Sequence, residues 1–82
     1  MLELTDRARE VIGRAHQAAT RLNPEARIRL TRTASGLTPL LTDAPEPGDA
    51  HVSLGDAVIF VQAGVEGVID VEDPHDKLVL RR

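Results

Sequence analysis

Ile28-Arg29-Leu30-Thr31-Arg32-Thr33-Ala34-Ser35-Gly36 is the stretch whose reading decides the fold. Starting at Ala26, apolar residues alternate with polar ones. Ala26, Ile28 and Leu30 face one way, and Arg27, Arg29 and Thr31 face the other. That period of two predicts a strand with one buried face. The strand runs into a small-residue turn, Thr33 to Gly36, where a reactive side chain would be expected. Ala34 has nothing to react with.

Upstream, Leu4, Ala8, Val11, Ile12, Ala15, Ala19 and Leu22 recur at helical spacing and predict an amphipathic helix. Thr5 is its expected N-cap, with Asp6 complementing the positive helix end. Glu10 and Arg14 stand four apart in the favourable order, and Asn23-Pro24 stops the helix. Downstream, Leu37 to Leu41 resumes an apolar stretch that Pro39 demotes to an edge or bulged strand. Asp43 to Asp49 reads as a rigid acidic loop with Pro45, Pro47 and Gly48. Ala50 to Leu54 and Ala57 to Val61 form a hairpin across Gly55-Asp56, and the second of these is the expected central strand. Gln62 to Gly67 is a crossing segment. Val68 to Glu72 and Lys77 to Arg81 make a second hairpin, closed by Asp73-Pro74-His75-Asp76. The expected class is α+β: one N-terminal amphipathic helix packed on a curled antiparallel or mixed sheet of five to six short strands, as a single domain over 1–82.

Eighty-two residues leave a small core, and with one Phe and no Trp or Tyr that core is aliphatic. The absence of cysteine removes disulfides, thiolate nucleophiles and thiolate metal ligands, and it fits a cytoplasmic protein. Neither a signal peptide nor a membrane-spanning apolar run is legible, so no membrane partner is expected. The net charge of −3 is unevenly spread. Residues 1–32 carry +3, residues 33–76 carry nine carboxylates and no Lys or Arg, and Lys77, Arg81 and Arg82 restore +3. Such halves attract one another, or one of them offers a docking face of one sign.

Little in the chain carries chemistry. Ser35 lies on a turn but lacks the Gly-x-Ser-x-Gly context and a legible base. Gly64-Val65-Glu66-Gly67 lacks the Lys of a phosphate-binding loop. Nucleic-acid binding wants exposed aromatics, and the only one, Phe60, falls in the expected core. Arg27 and Arg29 read as a solvated strand face, and His16 as a half-exposed surface histidine. One constellation remains: Asp70 and Glu72 on one strand face, then Asp73, His75 and Asp76, with His51 elsewhere. Carboxylates with imidazole can hold a divalent ion, although an acidic hairpin turn looks the same.

In its motif order the chain resembles the HesB/IscA-like domain, the A-type iron–sulfur cluster carriers. Leu4-Thr5 before the helix, Ile28-Arg29-Leu30, Thr33-Ala34-Ser35-Gly36 against a Gly-Cys-Ser-Gly signature, the Asp43–Asp49 loop, Val58 to Val61 and Val68-Ile69-Asp70-Val71 carry it. The resemblance implies that family's fold, one N-terminal amphipathic helix packed on a curled β-sheet or flattened barrel of five to six short strands. It also implies that Ala34 occupies the cysteine position, and the chain ends at Arg82 about where a Cys-Gly-Cys tail would begin. A methyl cannot replace a thiolate on a cluster. The expectation is therefore a non-enzymatic accessory or protein-interaction domain with no cofactor and a protein partner. A weak homodimer through an edge strand near Lys77 to Arg81 is a further expectation. The alternative is a small metal- or ligand-binding protein using Asp70, Glu72 and His75.

Overall fold

The computed structural model describes residues 2–34, 36–55, 57–73 and 77–81. Over these residues the chain runs β1 (Leu2–Leu4), α1 (Asp6–Leu22), β2 (Arg27–Thr33), β3 (Gly36–Thr42), β4 (Ala50–Leu54), β5 (Ala57–Val61), β6 (Gly67–Glu72) and β7 (Lys77–Arg81). Helix α1 starts where the Thr5 hydroxyl accepts a hydrogen bond from the Ala8 N–H at 3.1 Å. It ends at Asn23, which is extended, with φ −145° and ψ 106°. The Arg14 guanidinium donates to Glu10 at 3.2 Å on the wet face.

The strands form two mixed sheets, β1-β6-β7 and β3-β2-β5-β4, which are not closed into a barrel. This overturns the expected HesB/IscA-like architecture of one curled sheet or flattened barrel with five to six strands. Two parallel pairings account for the difference. β1, read from the sequence as a lead-in to the helix, pairs in parallel with β6, with Leu4 opposite Ile69. β2 pairs antiparallel with β3 but parallel with β5, with Leu30 opposite Val61. Local alternation carries no information about such long-range partners. Between the sheets the chain crosses over at Gln62, whose N–H donates to the Leu30 carbonyl at 2.9 Å, and it buries Val65 on the way. Each hairpin therefore lands in its own sheet.

The core lies between α1 and the inner faces of both sheets. Ala8 and Ile12 of the helix meet Ile28, Leu30, Ile59, Val61 and Ile69, each no more than 2% exposed. The two sheets meet where β3 passes β7. There Gly36 has φ +133°, and a β-carbon on it would sit 2.8 Å from the Leu78 carbonyl oxygen. Only a residue without a side chain fits that approach.

Several local expectations match the structure. β3, with Pro39, is an edge strand, and β5 lies inside its sheet between β2 and β4. The β4–β5 and β6–β7 hairpins have the expected strands. Ser35, Asp56, Pro74, His75 and Asp76 lie outside the described residues. The helical stripe fits less well. Leu4 belongs to β1, Ala15 is exposed, and Leu22 is 90% exposed.

Candidate functional site

The misfit at Leu22 comes from how α1 lies on the sheets. The helix packs on β1, β2 and β6. Asn23 and Pro24 then turn the chain back into β2, so the last helical turn projects past its support. β3 lies on the far side of β2 from β5 and has no helix over its second half. Leu37 is buried, but Leu41, which pairs with Ile28 and so shares its face, is 66% exposed. Between helix and strand lies an apolar cleft of about 380 Å³, walled by Ala15, Ala18 and Leu22 on one side and Pro39, Leu40 and Leu41 on the other. A second hollow of about 440 Å³ shares Ala19, Leu22 and Leu41 with it and extends to Asn23, Thr42 and Asp43. Among the described residues the large exposed apolar side chains are Leu22, Leu40, Leu41 and Val58; Leu22 and Leu41 stand at this cleft, while Leu40 borders it only through the strand and shares the opposite face with Arg29. Single exposed leucines are ordinary, but a contiguous group is not.

Polar clusters lie elsewhere. Across the outer face of the four-stranded sheet, Leu40, Arg29, Phe60 and His51 stand in one row of the register. The Arg29 guanidinium donates two hydrogen bonds to the Asp49 carboxylate, at 2.7 and 2.9 Å. Asp49 is only 1% exposed at its side chain and also accepts from the Glu46 N–H at 2.9 Å. Arg29 holds this carboxyl below its ordinary range against the opposing effect of burial, and Asp49 in turn raises the guanidinium. The pair ties the acidic loop to β2, and in the same row the Phe60 ring lies 5.0 Å from that of His51. The sequence reading of Arg29 as a solvated strand face thus missed its role. The available signal was an arginine on a polar strand face with an acidic, proline-rich loop able to fold back.

Asp70, the first residue of the expected metal set, is committed to the fold. Its Oδ1 accepts from the Val71 N–H at 2.7 Å and from the Thr5 hydroxyl at 2.9 Å, and its Oδ2 accepts from Arg81 Nε at 2.9 Å. These partners, the Val71 N–H foremost, hold the carboxyl below its usual range. Glu72 is exposed on the same strand and pairs in register with Lys77. His75 lies outside the described residues, and His51 sits on the other sheet. Among the described residues no group of three His, Cys, Asp or Glu is placed to hold a metal ion. Ala34 is exposed in the β2–β3 turn, and His16 is half-buried in α1 with no hydrogen bond to its Nδ1. The charge asymmetry is met in part inside the molecule. Arg7–Asp73, Arg29–Asp49 and Arg81–Asp70 each join a basic end to the acidic middle. Among the described residues no helix is long and apolar enough to cross a membrane.

Comparison of the chain with family models, with curated proteins and with solved structures gave no match. The resemblance to the HesB/IscA-like family therefore rests on the sequence motifs alone, and function has to be built from the residues themselves.

Proposed function

We propose that this chain is a non-enzymatic protein-interaction domain that docks another polypeptide in the cleft between α1 and β3. One observation carries this reading: Leu22 and Leu41 stand exposed at an apolar cleft floored by alanines. Such a surface fits the core of a protein–protein interface, where large side chains enter small-residue hollows. The charged clusters support it indirectly, because the Arg29–Asp49 and Asp70–Arg81–Thr5 groups satisfy their own partners and hold the scaffold rigid.

The test is quantitative capture from an extract of the source cells, with the wild-type chain and a Leu22→Glu/Leu41→Glu variant as parallel baits. Both positions are mostly exposed, so the variant folds. The expected result is a polypeptide held stoichiometrically by the wild type and lost at least tenfold by the variant, as about 1.4 kcal/mol or more of interface energy implies. Equal recovery by both baits would remove the cleft from the account.

A further inference from the structure

The cleft lies at the β3 side of the four-stranded sheet, and the opposite edge of that sheet is β4. Among the described residues no strand lies on the far side of β4. Alternate residues of this strand therefore send their N–H and C=O groups away from β5, with no ladder to meet them. The usual protections of an edge are missing here. Ala50-His51-Val52-Ser53-Leu54 contains no proline, lysine or arginine, and it pairs residue for residue with β5 without a bulge. The other edges are guarded. β3 carries Pro39, β1 has three residues, and β7 carries Lys77 and Arg81 with its Leu78 carbonyl close to Gly36 of β3. On the core side of β4, Val52 and Leu54 are only partly covered, and Ala50, His51 and Ser53 are exposed.

We infer that β4 pairs antiparallel with β4 of a second copy of this chain, across a two-fold axis at Val52, so that two four-stranded sheets become one continuous sheet. This surface is separate from the cleft, and the inference does not rest on the docking reading. The strand's own sequence selects a copy of itself, because a two-fold contact must be self-complementary. With Val52 opposite Val52, every residue of β4 has a partner and both core faces lie on the same side of the joined sheet. Ala50 then meets Leu54 on that side, small against large, on either flank of the central valines. On the other side His51 meets Ser53, an imidazole against a hydroxyl, and no charged carboxylate or ammonium group of β4 opposes another. Centring the axis on His51 or Ser53 pairs fewer residues.

Sedimentation equilibrium on the full chain, in a series up to about 1 mM where even a millimolar self-affinity registers, measures the dimer. A pairing of five residues with five is smaller than a standard interface, so a weak, concentration-dependent dimer is expected. His51→Glu sets two carboxylates on diagonal neighbours across the axis, and Ser53→Lys does the same with two ammonium groups. Each should weaken the dimer by about threefold or more. The double variant His51→Glu/Ser53→Lys places a carboxylate directly opposite an ammonium group twice, so it should dimerise at least as tightly as wild type. Both side chains are exposed, so these variants change the edge and not the core. A wild-type chain that stays monomeric overturns the inference, as does a dimer indifferent to both single variants or a double variant as weak as the singles. Leu22→Glu/Leu41→Glu should leave the dimer intact; a dimer lost in that variant and kept in the β4 variants would put the contact at the cleft and end the β4 pairing. Capture through the cleft does not depend on His51 or Ser53, so either reading can fail while the other stands.

Discussion

The seam between the two sheets can be probed by adding one methyl group at three glycines, because the structure assigns each a different consequence. At Gly13, inside α1, an added methyl meets nothing within 4 Å. Replacement by alanine there raises helix propensity alone, and stability should rise by about 0.5–1 kcal/mol. At Gly64 the methyl also has open space, but φ is +87°. Only backbone strain is added, so stability should fall by about 1 kcal/mol. At Gly36 φ is +133° and the methyl would lie 2.8 Å from the Leu78 carbonyl oxygen of the other sheet. Strain of about 1–2 kcal/mol is joined by overpacking of about 1–3 kcal/mol, for a loss of about 3 kcal/mol.

That loss is a large share of the roughly 4–12 kcal/mol expected of a domain this size. At about 4–8 °C per kcal/mol it lowers the melting temperature by about 12–24 °C. Circular dichroism through thermal and urea unfolding, with the same urea m-value for all variants, measures the series. The order Gly13→Ala above wild type, then Gly64→Ala, then Gly36→Ala is the prediction. A Gly36→Ala protein within about 0.5 kcal/mol of wild type would falsify the close approach of β3 to β7, and with it the way the two sheets join.

Two further predictions concern the polar clusters. Thr5 caps α1 and also donates to Asp70, so Thr5→Ala should cost about 1–2 kcal/mol in urea unfolding while Thr5→Ser restores most of it; equal losses in the two variants would contradict the hydroxyl's role. Asp49 and Asp70 both have folded-state pKa values below the ordinary 3.8, so the native state favours their charged forms. Their contribution is fully present above about pH 4 to 5 and is lost as pH falls toward the lower folded values. Urea unfolding of Asp49→Asn should therefore show a shallower acid-side decline than wild type, and an unchanged slope would show that Asp49 is not held charged.

Much of the fold was legible because local chemistry dictated it. Thr5, Asn23 and Pro24 marked the helix ends, Pro39 marked an edge strand, and Gly55 marked a tight hairpin. The sheets were not legible, since parallel pairing of Leu2–Leu4 with Gly67–Ile69 joins segments more than sixty residues apart and leaves no local trace. Helical periodicity also misled at its end. It reports which residues share a face but not how far the covering sheet extends, so Leu22 was read as core and is solvent-facing. The Arg29–Asp49 pair was hidden for a related reason: its two halves are on a strand and a loop whose contact depends on how the loop folds back.

The cleft follows from where the chain places its bulk. The second half of α1 presents Ala15, Ala18 and Ala19, small residues that leave the space over β3 unfilled. Larger side chains there would fill that space and cover Leu41, whose full burial is worth about 1.5–3 kcal/mol. The sequence instead sets leucines at 22 and 41 beside the hollow, where a lone chain leaves them largely wet. In a domain with an aliphatic core and no disulfide, that is a considerable part of the available apolar burial left unused. The proposed docking would recover it, since burying Leu22 and Leu41 against a second surface would remove the same apolar area from water that folding leaves exposed. A chain that leaves this burial undone while satisfying Arg29, Asp49, Asp70 and Arg81 internally concentrates its unmet apolar contacts at one surface, and that concentration is the physical ground of the proposed docking.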